Sequence, residues 1–66
     1  MKFGELASGS LFVRIQPGQK SKVLSKSNGE NAREIRGIDL HGKPILFDGP
    51  VKVDAEEEVQ WVGVFD

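Results

Sequence analysis

An all-β fold is predicted for this chain: one small domain, residues 1–66, built as a compact curved sheet or barrel of about five strands. Three observations carry that prediction. Turn signals recur at close and regular spacing, at Gln16-Pro17-Gly18, Ser27-Asn28-Gly29, His41-Gly42-Lys43-Pro44 and Asp48-Gly49-Pro50. Proline presets φ for the first corner of a turn, while glycine and asparagine accept positive φ. Between the turns lie short runs rich in Val, Ile, Leu and Phe, and short strands at such spacing make a meander. Finally, a cysteine-free chain of 66 residues has no disulfide to lean on and must spend its large side chains on one core.

The chain opens with Phe3-Gly4-Glu5-Leu6-Ala7-Ser8-Gly9, where Phe3 and Leu6 stand three apart, as on one helical turn. Gly9 is placed to stop that turn in the left-handed conformation. The expectation is a single helical turn folding Phe3 and Leu6 over one end of the sheet. Strands follow at Leu11–Gln16, Ser21–Ser27, Ala32–Asp39, Pro44–Phe47, Val51–Val53 and Val59–Phe65. In the first, Leu11, Val13 and Ile15 alternate with Phe12, Arg14 and Gln16, a half-buried pattern. Asn28-Gly29 is the strongest hairpin signal and should join the second strand to the third. The third does not alternate cleanly: Ile35 and Ile38 fall on opposite faces, and Gly37 between them predicts a bulge or bend. Asp54-Ala-Glu-Glu-Glu58 reads as a second helical turn, with Asp54 as cap and Glu57 three residues on, as in a capping box. One turn of helix before the last strand is common in SH3-like barrels, so the architecture expected is an SH3-like or related curved β-barrel.

The last strand, Val59-Gln-Trp-Val-Gly-Val-Phe65, is apolar on both faces. Strict alternation points Val59, Trp61 and Phe65 one way, and Val62 and Val64 the other. In a small barrel both faces are buried within the monomer, which is the first expectation. The second is that one face, or the strand edge, meets another chain, because aromatics are enriched at interfaces and an open edge can pair with a partner strand. A small-molecule pocket ranks last, since so small a core does not enclose the usual ligand cavity.

Hydrophobic residues make up 38% and charged residues 29%, a globular balance rather than a disordered one. No signal peptide or membrane-length apolar run is present, so a cytoplasmic location without membrane contact is expected. Charge is uneven. Residues 1–53 carry all nine basic residues and a net charge of +4, whereas residues 54–66 carry five acids, no base and a net charge of −5.

The spacing Phe3-x-x-Leu6-x-x-Gly9-x-x-Phe12 resembles the start of a group of short bacterial and phage-encoded β-rich proteins. These continue with a lysine-bearing strand, an alanine-led strand, a glycine turn and a closing V-x-V. Lys26, Ala32, Gly42 and Val51-Lys52-Val53 occupy the corresponding places. The resemblance covers residues 3–13 best. It implies a β-rich fold and a bacterial or phage origin, and it assigns no functional residues.

No enzyme is expected, and no cofactor or metal. Asp39-Leu40-His41 with Asp48 is the nearest approach to an acid–base or metal constellation, but these residues flank a glycine turn, where polar side chains are ordinary. A lone histidine without cysteine cannot build a zinc site unless several carboxylates converge on it. There is no nucleophile elbow, phosphate loop or dinucleotide fingerprint. Two binding functions remain. The first is a non-catalytic protein-binding module of adaptor or inhibitor type, with Trp61 and Phe65 as contact surface and a homodimer as a variant of it. The alternative is a nucleic-acid-binding barrel whose basic face is built from Lys20, Lys22 and Lys26 around the second strand and Arg33 and Arg36 on the third. That alternative lacks a stacking platform, because no aromatic lies between residues 13 and 46.

Overall fold

A computed structural model describes residues 1–15 and 22–64. The Gln16-Pro17-Gly18 turn, Lys20, the start of the predicted second strand at Ser21, and Phe65 lie outside the described residues. A single 3₁₀ turn, Phe3–Glu5, leads into six strands: β1 (Ser10–Arg14), β2 (Val23–Asn28), β3 (Asn31–Ile38), β4 (Pro44–Leu46), β5 (Val51–Lys52) and β6 (Val59–Val64). All pairings are antiparallel, in the order β4-β3-β2-β1-β6, with β5 also on β3. The class is therefore all-β. The sheet is not closed into a barrel: among the described residues no pairing joins β4 to β6, and each is an edge strand.

The hairpin between β2 and β3 forms where Asn28-Gly29 placed it. Asn28 pairs with Asn31, leaving Gly29 and Glu30 at the corner, and Gly29 takes the positive φ of 43° that the tight turn needs. The bulge predicted in the third strand is present: Ile35 faces Leu46 and Gly37 faces Ile45, so Arg36 is the extra residue. One consequence differs from strict alternation. Because Leu46 and Pro44 share a face, their partners Ile35 and Ile38 share one too. After β4 the chain stays beside β3: Phe47 donates its N–H to the Glu34 carbonyl, Asp48-Gly49-Pro50 bends it, and β5 pairs with Asn31 and Ala32.

The core sits under the face of β1, β2 and β6 that carries Phe12, Leu24 and Val59, and is closed by Phe3, Leu6, Ala32 and Val53. The rings of Phe3 and Phe12 meet edge to face, 5.1 Å between centroids. Phe3 and Leu6 thus fold over the sheet as their spacing predicts, although the helical segment stops at Glu5. Gly9, with φ of 90°, serves the following turn, where Ser10 donates to the Ala7 carbonyl.

The second predicted helical turn is a hydrogen-bonded turn instead. Glu57 donates its N–H to the Asp54 carbonyl, and Glu56 donates to Asp54 Oδ1. No helix propagates because the backbone is engaged elsewhere: the Ala55 and Glu57 carbonyls accept the N–H groups of Gly4 and Phe3, and Val59 donates to the Met1 carbonyl. Glu57 also has a tertiary partner. Its carboxylate accepts Arg14 Nε and Nη2, both at 2.7 Å, in a bidentate pair largely withdrawn from water. That hydrogen bond holds the guanidinium above its ordinary pKa.

Candidate binding edge

The two exposed edges of a sheet are where an all-β protein meets other chains, because they carry unpaired N–H and C=O groups. The outer edge of β6 is partly used. The N-terminal segment lies along its start, Phe3 donating to the Glu57 carbonyl and Val59 donating to the Met1 carbonyl at 2.8 Å. Edge-facing groups recur every second residue, so Trp61 presents its N–H and C=O on the same outer side as Val59. From Gln60 to Val64 none of the described residues bonds to that side.

The apolar side chains of this edge are arranged by a second bulge. Phe12 pairs with Trp61 but Leu11 pairs with Gly63, which makes Val62 the extra residue. Cross-strand partners point the same way, so Trp61 sits on the Phe12 face, and Val64, opposite Ser10, returns to that face as well. Alternation alone had sent Val64 to the other side from Trp61. The bulge corrects this and brings both onto the wall of one open cleft of about 420 Å³, whose other lining residues are Met1, Glu5, Leu6, Ala7 and Ser10.

The expectation that both faces of the last strand are core does not hold: of its large apolar residues among those described, only Val59 is buried. Val59 is fully buried, whereas Trp61 is 50% exposed, Val62 51% and Val64 56%. An open sheet has no wall to bury them. Gly63 adds to this picture, since a Cβ built there would meet nothing within 4 Å. Met1 and Ala7 were invisible as site residues in the sequence; they reach the cleft only because Phe3 and Leu6 pin the segment between them onto the sheet.

That pinning depends on Lys26. Its side chain is almost wholly buried, and Nζ donates to the Phe3 carbonyl at 3.1 Å and the Leu6 carbonyl at 2.7 Å, 4.8 Å from the centre of the Phe3 ring. An ammonium group held by two carbonyls and a ring face satisfies the end of the 3₁₀ turn. Lys26 is thereby withdrawn from the exposed basic face for which it was a candidate. Of the remaining candidates, Lys22, Arg33 and Arg36 are among the described residues. Lys22 is exposed and stands 3.7 Å from Glu34. Arg33 pairs across from Ser25, on the face opposite to Lys26, and Arg36 is the bulge residue near the far edge.

Asp39 and His41 occupy the β3–β4 loop, where Asp39 Oδ1 accepts the backbone N–H groups of His41 and Lys43, both at 2.9 Å. The carboxylate is thus committed to shaping a turn. Among the described residues no group of three or more His, Asp or Glu side chains could hold a metal ion, and no helix is long and apolar enough to cross a membrane. No protein-family model, curated protein or solved structure matches this chain.

Proposed function

We propose that this chain is a non-catalytic, cytoplasmic protein-binding module, of adaptor or inhibitor type, which receives its partner on the outer edge of β6. The carrying observation is the coincidence of an outer edge at residues 60–64 to which none of the described residues bonds with the half-exposed Trp61 beside an apolar cleft. Strand addition supplies affinity through main-chain hydrogen bonds, while pockets for side chains supply selectivity. A large aromatic that is neither core nor fully solvated is the type of residue that dominates such interfaces. We further read the meander, with its last strand returning beside the first after a tight turn, as an opened form of the SH3-like arrangement. Nucleic-acid binding has weaker support, since Lys26 is buried and Arg33 lies on the opposite face from it.

The test is affinity capture from a bacterial lysate, the source that the resemblance implies, using the wild type, Trp61→Ala and Val64→Lys, each with and without nuclease. A protein recovered by the wild type in both conditions and lost with both variants supports the proposal. Recovery that vanishes with nuclease and survives Trp61→Ala overturns it in favour of the basic residues.

A further inference from the structure

We infer that the occupant of the β6 edge is an extended segment of another protein carrying lysine or arginine next to an apolar anchor. This rests on the protein-binding reading above and adds the chemistry of the partner. The backbone comes first. The N-terminal segment covers Glu57 to Val59, and no described residue bonds to the outer side of residues 60–64, which leaves that stretch to an incoming strand. A single strand edge takes one extended segment through main-chain hydrogen bonds. Next is the cleft, whose apolar walls, chiefly Leu6, Ala7, Trp61 and Val64, accept one large side chain projecting from the incoming strand.

Charge supplies the third element. Glu5 lines the cleft, and Asp54, Glu56 and Glu58 stand in the turn that leads into β6. Lys2 neutralises Glu56, and the amino group of Met1 neutralises Glu58. Glu5 and Asp54 instead accept backbone N–H groups and have no cationic partner among the described residues. A half-exposed indole close to an uncompensated carboxylate is chemistry for a cation: the ring face attracts the charge and the carboxylate takes its N–H. A second copy of this chain fits the edge less well. It would bring the same carboxylates, with no base between residues 54 and 66, and its other free edge, β4, is three residues long and begins with proline.

The experiment is selection of a random linear dodecapeptide library against the full chain, with counter-selection on Trp61→Ala and sedimentation of the chain alone. The expected result is enrichment of peptides with Lys or Arg within two positions of a large apolar residue. Their affinity should fall about tenfold or more in Trp61→Ala and about two- to fivefold in Glu5→Gln. Val64→Lys, a surface change, guards against a folding defect in Trp61→Ala and should weaken the same peptides. Trp61-dependent peptides that are acidic or uncharged would overturn the basic-segment inference and leave the protein-binding reading standing. A chain that sediments as a dimer, and as a monomer once Val64 is lysine, would make the occupant a second copy and overturn the inference as well. With neither Trp61-dependent peptides nor a dimer, both would fall.

Discussion

The two edges of this sheet make a contrast. Both β4 and β6 end the sheet, and both carry exposed apolar residues: Ile45 and Phe47 at the β4 end, Trp61, Val62 and Val64 on β6. What differs is the backbone they offer. β4 has three residues, entered through Lys43-Pro44 and left through Asp48-Gly49-Pro50. A short strand flanked by lysine and proline is how natural sheets discourage pairing. β6 has six residues and neither proline nor lysine in Val59–Val64. Exposed grease thus does not identify a docking edge. Exposed grease beside an unblocked ladder does.

The comparison can be broken outright, or sharpened, by substitution. The largest effect is expected from Phe12→Ala, which empties the fully buried centre of the core beside Phe3. A loss of about 3–5 kcal/mol is expected, comparable to the whole stability a domain this small usually has. Both edges should be lost together in a urea titration followed by circular dichroism. A variant that still melts cooperatively near the wild-type midpoint would show that the core lies elsewhere.

Glu57→Gln comes next. It strips the bidentate partner from Arg14 where the turn enters β6, and should cost about 1–3 kcal/mol. Amide hydrogen exchange should quicken in β6 and not in β4, because Arg14 sits opposite Val59. Equal quickening at both edges would count against a local role for the pair.

Lys26→Met tests how the cleft wall is held. Removing the ammonium leaves the Phe3 and Leu6 carbonyls short of a donor, at about 1–2 kcal/mol. Protection of the Gly4 and Leu6 amides should drop, and binding at the β6 edge should weaken although Lys26 touches no partner. Unchanged protection would mean that hydrophobic contact alone fixes the N-terminal turn.

The smallest effects concern the edges themselves. Val64→Lys and Gly63→Ala should each change stability by no more than about 0.5 kcal/mol, because Val64 is half exposed and the space beside Gly63 is empty. Both should nonetheless impair partner binding. Pro44→Val is the converse: it unblocks the β4 edge, and light scattering should rise with concentration if proline is what keeps that edge quiet.

Much of this molecule was legible in the chain itself, and for local reasons. Asn28-Gly29 specifies a tight turn through its own φ preferences, and Gly37 marks a strand whose alternation fails at its neighbour Arg36. Phe3 and Leu6, three apart, announce a turn with one buried face. Each is a statement about a few adjacent residues, which is the range over which backbone preference and hydrophobic spacing act. The rest depended on residues distant in the chain. Whether the strands close into a barrel depends on how far the sheet curls, and it left β4 and β6 apart. Lys26 looked like a surface cation until the carbonyls of Phe3 and Leu6 were brought over it. Glu57 looked like a capping residue until Arg14, 43 positions away, claimed its carboxylate. Val64 changed faces because Val62 has no partner on β1, a mismatch of register between two strands. Sequence by itself determined the strands among the described residues, the Asn28-Gly29 hairpin and the greasy last segment, since these follow from short-range sterics and periodicity. Only tertiary structure decided which of those greasy side chains stay in water, because burial depends on what the rest of the chain places on top of them.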